Sequence, residues 1–136
     1  MQASSPARLY ATVAGAVLTI AGIIGFFYSG SFGSPGTVDD MLGIFAVNGW
    51  GNVVHLATGL VGLAAAGYAA RTYALAVGLF YLVVAIWGFI IGSGDSILSI
   101  VPVNACDNVL HLILGLVGLA AGAASPARPR TRGAPG

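Results

Sequence analysis

Two stretches decide the fold: VNGWGNVVHLATGLVGLAA at Val47 to Ala65, and VNACDNVLHLILGLVGLAA at Val103 to Ala121. Both read Val-Asn-x-x-x-Asn-Val-x-His-Leu and then Gly-Leu-Val-Gly-Leu-Ala-Ala. Extended back to Leu42 and Leu98, the two align without a gap and share 15 identities in 24 positions. Self-similarity at a fixed offset marks a duplicated structural unit. Upstream the likeness continues more weakly. Ala7-Arg8-x-Tyr10-Ala11 pairs with Ala70-Arg71-x-Tyr73-Ala74, and Gly15, Gly25 and Phe26 pair with Gly78, Gly88 and Phe89. The offset is 63 in these segments and 56 in the later ones, so the first connection is longer by 63 − 56 = 7 residues.

Each unit contains two apolar runs. Leu9 to Tyr28 and Thr72 to Gly92 carry no charge. Gly49 to Ala69 is interrupted only by Asn52, His55 and Thr58, and Ala105 to Ala124 has Asp107, Asn108 and His111 in its first two turns. A bilayer core about 30 Å thick needs ~20 apolar residues at 1.5 Å each, and each run has 20 or 21. The first run is too long for the hydrophobic region of a signal peptide and ends on Phe26, Phe27 and Tyr28, so it reads as a retained helix. None of the runs alternates as a barrel strand does. The expected fold is all-α: a four-transmembrane-helix bundle of two tandem helical hairpins. Both units enter the membrane in the same sense, which implies a pseudo-two-fold axis along the membrane normal.

Composition points the same way. Of 136 residues, 57% are hydrophobic and 7% charged, against about 25% charged in soluble domains. A water-soluble enzyme domain and a disordered chain are thereby excluded. A net charge of +1 with no basic face excludes nucleic acid as a partner. The few charges are fully partitioned. Arg8, Arg71, Arg128, Arg130 and Arg132 flank one end of the spans, whereas Asp39, Asp40, Asp95 and Asp107 lie at the other. By the positive-inside rule both termini are expected in the cytoplasm. Residues 1–7 are expected to form a cytoplasmic N-terminal segment and 8–124 a membrane domain, with repeats at about 8–69 and 70–124. Residues 125–136 are expected to be a disordered cytoplasmic tail.

Within the repeats, Asn48, Asn52, His55, Gly59, Gly62 and Ala66 are spaced 4, 3, 4, 3, 4, as are Asn104, Asn108, His111, Gly115, Gly118 and Gly122. This is the stripe of a left-handed helix pair. Small residues let membrane helices approach, and polar ones hydrogen-bond across. Gly59, Gly62, Gly115 and Gly118 are therefore the expected packing residues of a seam between helices 2 and 4. Asn48 and Asn104 stand where those helices begin and are expected N-caps. Asp107, in the first turn, suits the positive helix end.

Asn52, Asn108, His55 and His111 form the candidate polar site. The plain reading is a set of hydrogen bonds that locks the hairpins together. Three sharper readings stand beside it: axial ligation of a haem, with Gly59 and Gly115 making room; a metal ion held by the two histidines and Asp107; and an outward-facing proton or small-solute site. Close small-residue packing competes with a haem cavity, and one Cys with one nearby carboxylate does not make a closed zinc site, so no cofactor is expected. Cys106 is expected at the outer surface. Trp50, Tyr28, Phe26 and Phe27 at one interface and Tyr10 and Tyr73 at the other read as an aromatic belt. No nucleophile–base pair, phosphate loop or pair of buried acids appears, so no enzyme is expected.

The doubled Val-Asn-x-x-x-Asn-x-x-His-Leu motif, its Gly-Leu-Val-Gly-Leu continuation and the Ala-Arg-x-Tyr starts resemble a domain-of-unknown-function family of small four-helix bacterial membrane proteins. The resemblance covers Ala7 to Ala124. It implies a four-span plasma (inner) membrane protein and no particular activity. Gly51 stands here where the second copy has Asp107. The expected role is that of a structural or interaction module with an Asn/His pairing seam. Its expected partners are the lipid bilayer and either a second copy of itself or another membrane protein.

Overall fold

The computed structural model describes residues 4–33 and 39–127. Four helices run through them: α1 (Pro6–Tyr28), α2 (Gly49–Ala65), α3 (Ala70–Ile91) and α4 (Ala105–Ala124). Residues 1–3 and 128–136, which hold most of the expected terminal segments, lie outside the described residues.

Each start has a local cause. Ser5 caps α1, accepting from the Arg8 N–H, and Pro6 occupies the first turn, where its missing N–H costs nothing. Asn48 caps α2 through Gly51 N. Asn104 caps α4 within a full capping box: its side chain accepts from Asp107 N, and Asp107 accepts from Asn104 N. Such reciprocal caps satisfy two otherwise orphaned donors. α2 differs from expectation. It ends at Ala65 rather than Ala69, because residues 66–69 turn directly into α3. Among the described residues three helices are thus long and apolar enough to cross a membrane, α1, α3 and α4, and α2 is a shorter fourth of 17 residues.

The connections from α1 to α2 and from α3 to α4 each contain a small antiparallel hairpin. β1 (Asp39–Met41) pairs with β2 (Phe45–Val47), and β3 (Ser96–Ile97) with β4 (Val101–Pro102). Their turns put Leu42 and Gly43, and Leu98 and Ser99, at positive φ.

Packing is between sequence neighbours: α1 lies along α2, and α3 along α4. A Cβ on Gly15 would lie 2.8 Å from Leu63 N and 3.0 Å from Gly59 O. A Cβ on Gly78 would lie 2.7 Å from Leu119 N and 3.0 Å from Gly115 O. The glycines therefore bring backbones together within a hairpin, as small residues do in membranes. This corrects the expected seam. Gly59 and Gly115 face Thr19 of α1 and Leu82 of α3, and Gly62 and Gly118 receive the rings of Tyr73 and Tyr10. None of the four makes its closest approach across α2 and α4. A periodic stripe names a face but not the neighbour that covers it, and sequential helices pack first.

Tyr10 and Tyr73 are not an aromatic belt. They are buried, 7% and 4% exposed, with ring centroids 6.2 Å apart in a core otherwise of alanine. Each crosses to the other repeat: the Tyr10 hydroxyl donates to Leu114 O and the Tyr73 hydroxyl to Thr58 O, both at 2.8 Å. The outward-facing girdle is mainly aliphatic, with exposed aromatics such as Phe27, Phe80 and Phe89 among its residues. Val13, Val17, Ile20, Leu79, Val83, Ile86, Ile113 and Leu116 are all about half exposed, far more apolar surface than a soluble monomer presents.

Candidate functional site

The polar residues of the repeats divide into two groups by what they bond. Asn48 and Asn104 use both ends of their amides. The oxygens cap their own helices, and the Nδ2 groups donate to Ile100 O and Ile44 O in the hairpin of the opposite repeat. Asp107 joins this clasp, since its Oδ2 also accepts from Ala46 N at 3.1 Å. The equivalents of Asp107 and Ala46 in the other direction are Gly51 and Pro102. Proline has no N–H to give, so the acid and its donor are missing together.

Asn52 is buried and donates from Nδ2 to Ser29 O at 2.8 Å, meeting a carbonyl freed at the end of α1. Gly25 makes room for it, since a Cβ there would overlap the Asn52 amide. Gly88 does the same for Asn108, whose Oδ1 is buried without a partner. Asn52 and Asn108 thus serve their own hairpins and do not bond across to each other.

The histidines form the second group. His55 and His111 meet edge to face, ring centroids 6.0 Å apart, and Tyr81 lies 5.4 Å beyond His111. The sequence brought these two imidazoles to equal depth, and the fold brings them into contact. Among the described residues neither imidazole has a hydrogen-bond partner, and His111 Nδ1 is buried without one. Leaving a buried polar group unpaired costs about 1–3 kcal/mol, so these rings are not the bonded pins of a helix seam. The glycines expected to make room for a haem are closed by the backbones of α1 and α3. No three His, Cys, Asp or Glu side chains among the described residues are placed to share a metal ion.

Both imidazoles line a groove of about 760 Å³ between α1 and α4, within the ~300–1,000 Å³ of small-molecule sites. The hairpin β1–β2 closes the end beside the start of α4 through Met41 and Phe45, next to Asp107. Its rims, Leu9, Val13 and Val17 on α1 and Leu110, Ile113 and Val117 on α4, are exposed, so it opens sideways onto the girdle.

The repeat explains why the groove lies on this side. The equivalents on α3 of Ala14, Val17, Leu18 and Ala21 are Val77, Phe80, Tyr81 and Val84, each larger. Tyr81 is 1% exposed, and its hydroxyl lies 2.8 Å from the Thr58 hydroxyl. On the other side Leu18 takes the place of Tyr81, and Leu114 that of Thr58. The space that a phenol fills between α2 and α3 is left open between α1 and α4. Sequence reasoning missed the groove and its α1 wall, although the volume differences between aligned positions of helices 1 and 3 carried it.

A family model covers residues 8–124. The chain belongs to the family described as Domain of unknown function (DUF4383). No curated protein and no solved structure matches it.

Proposed function

We propose that the chain is a non-enzymatic membrane module that takes a small lipophilic molecule from the bilayer into the groove between α1 and α4, with His55 and His111 as its polar contacts. The observation that carries this reading is a pair of mutually touching imidazoles without internal hydrogen bonds, on the wall of an apolar groove that opens sideways. The described residues leave both imidazoles unbonded, and an occupant of the groove that the two rings line can bond the ring nitrogens that face it; His111 Nδ1, closed off within the protein, is not among them.

In this reading all four helices span, with α2 crossing at its shorter length beside α1, and the two hairpins are related by a pseudo-two-fold axis along the membrane normal. The doubled contacts support it: Tyr10 to Leu114 with Tyr73 to Thr58, and Asn48 to Ile100 with Asn104 to Ile44. The arginines at one end and aspartates at the other support a bacterial plasma-membrane protein with both termini in the cytoplasm. The pairing role expected of the whole seam falls to the asparagines, glycines and tyrosines.

Native mass spectrometry of the protein released from nanodiscs tests this. Incubated with dodecanol, dodecanoic acid and dodecylphosphocholine, it is expected to form a saturable one-to-one adduct with at least one of them. Leu18→Phe, which places in the groove the ring that Tyr81 places opposite, is expected to abolish it at an unchanged circular dichroism spectrum. Absence of a saturable adduct on the native chain, or equal adducts on a folded Leu18→Phe, overturns the reading.

A further inference from the structure

We infer that the occupant of the α1–α4 groove is a single-chain amphiphile with a neutral, oxygen-bearing head, hydrogen-bonded between His55 and His111, and a tail laid toward the inner end of α4. The inference rests on the groove being a ligand site and names the chemistry of what fills it.

Three observations select that chemistry. The first is charge. Among the described residues the groove wall contains no Lys or Arg, and its ionisable groups besides the imidazoles are Asp107, beside the start of α4, and the Tyr10 phenol. A phosphate or carboxylate head would enter a low-dielectric space with no counter-charge and a carboxyl group nearby, which is costly. A cationic head would find one acidic group, but Asp107 already spends an oxygen on Ala46 N and Asn104 N. The second is the bonding capacity of the head site. A neutral imidazole offers one N–H donor and one acceptor nitrogen, so a hydroxyl between two such rings finds a partner whichever tautomer each adopts, and a carbonyl oxygen finds one where a ring turns its N–H toward it.

The third is shape. From His111 to Ala121 the α4 wall runs ten residues, about 15 Å at 1.5 Å each. Ile113, Leu114 and Val117 on that wall face Tyr10, Ala14 and Val17 on α1. Among the described residues, the one polar side chain lining this channel below the imidazoles is Tyr10, whose hydroxyl is already bonded to Leu114 O. A single aliphatic chain fits such a channel. A prenyl quinone and a long-chain alcohol share the required chemistry, and the test separates them.

The test compares four probes on the full chain in nanodiscs: decylbenzoquinone, dodecanol, dodecanoic acid and dodecylphosphocholine. Binding is read as the saturable one-to-one adduct and as displacement of the ¹⁵N resonances of the two imidazoles. Decylbenzoquinone, dodecanol or both are expected to bind at least tenfold more tightly than the acid or the phosphocholine and to shift both histidines. His55→Leu and His111→Leu are each expected to lower that affinity about tenfold, and Gln at either position to restore part of it. A quinone preference assigns the head to a ring, and a dodecanol preference assigns it to a hydroxyl. Tighter binding of the acid or the phosphocholine overturns the neutral-head inference while leaving the groove as a site. Binding that shifts neither imidazole overturns it as well. No saturable binding of any probe overturns the groove reading itself.

Discussion

Replacing Gly78 by Ala adds one methyl group at the closest approach of α3 and α4. Its Cβ would stand 2.7 Å from Leu119 N, 3.0 Å from Gly115 O and 3.0 Å from Gly118 C. Every one of these atoms is backbone, so no side chain can rotate away and the helices must part by several tenths of an ångström. A gap of 0.5–1 Å forfeits about a quarter to a half of each affected dispersion contact, and over-packing of this kind costs about 1–3 kcal/mol. The rigid contacts put Gly78→Ala toward the upper end. Alanine is a better helix former than glycine by about 1 kcal/mol, but in a detergent-denatured reference state that keeps its helices most of that gain cancels. The repeat supplies an internal replicate. Gly15→Ala meets Leu63 N at 2.8 Å, Gly59 O at 3.0 Å and Gly62 C at 3.1 Å, the same three atoms one repeat earlier. It also supplies a control, since Gly67 has nothing within 4 Å of an added Cβ. Reversible unfolding of the solubilised protein by sodium dodecyl sulfate is the assay. Gly15→Ala and Gly78→Ala are expected to destabilise by similar amounts, and Gly67→Ala by less than about 0.5 kcal/mol. If either interface variant proves as mild as Gly67→Ala, close backbone packing within the hairpins is wrong.

Tyr10→Phe and Tyr73→Phe each remove one hydroxyl that bridges the repeats but keep the ring. Bonds of this kind in membranes average about 0.6 kcal/mol with a maximum near 1.7, and the same unfolding assay should give two similar losses in that range. Asp107→Ala removes half of the α4 capping box and the link to Ala46 N, with an expected cost of about 1–2 kcal/mol. A loss indistinguishable from zero would mean that the clasp carries no stability. Cys106 is exposed at the start of α4. The orientation proposed from the arginines predicts that a membrane-impermeant maleimide labels it in spheroplasts without permeabilisation, and labelling only after permeabilisation would invert the topology.

The duplication was legible because the two copies of the Asn/His segment are nearly identical, and the caps were legible because Asn48 and Asn104 stand directly before apolar runs. The neighbours of each face were not. Gly59 and Gly62 lie on one stripe of α2, yet α1 covers the first and Tyr73 of α3 the second. The hairpins escaped detection because their turns place Leu42 and Leu98 at positive φ, where Asn-Gly or Asp-Gly is the usual cue. The second use of the capping amides, as donors to Ile100 and Ile44, depends on those turns and so was hidden with them. The groove was hidden for a different reason. It arises at positions where the repeats differ, Leu18 against Tyr81 and Ala14 against Val77, whereas the search for a repeat rewards positions that agree.

Two imidazoles from separate repeats meet beside the groove between α1 and α4. Nuclear Overhauser spectroscopy of histidine- and tyrosine-labelled protein, in nanodiscs of perdeuterated lipid, tests this directly. Ring centroids 6.0 Å apart for His55 and His111, and 5.4 Å for His111 and Tyr81, predict cross-peaks for both pairs. Substituting protonated acyl chains for deuterated ones should add contacts to the Leu110 and Val117 methyl groups at the groove rim. Histidine rings that show no contact with each other, each surrounded by acyl-chain protons alone, would contradict it.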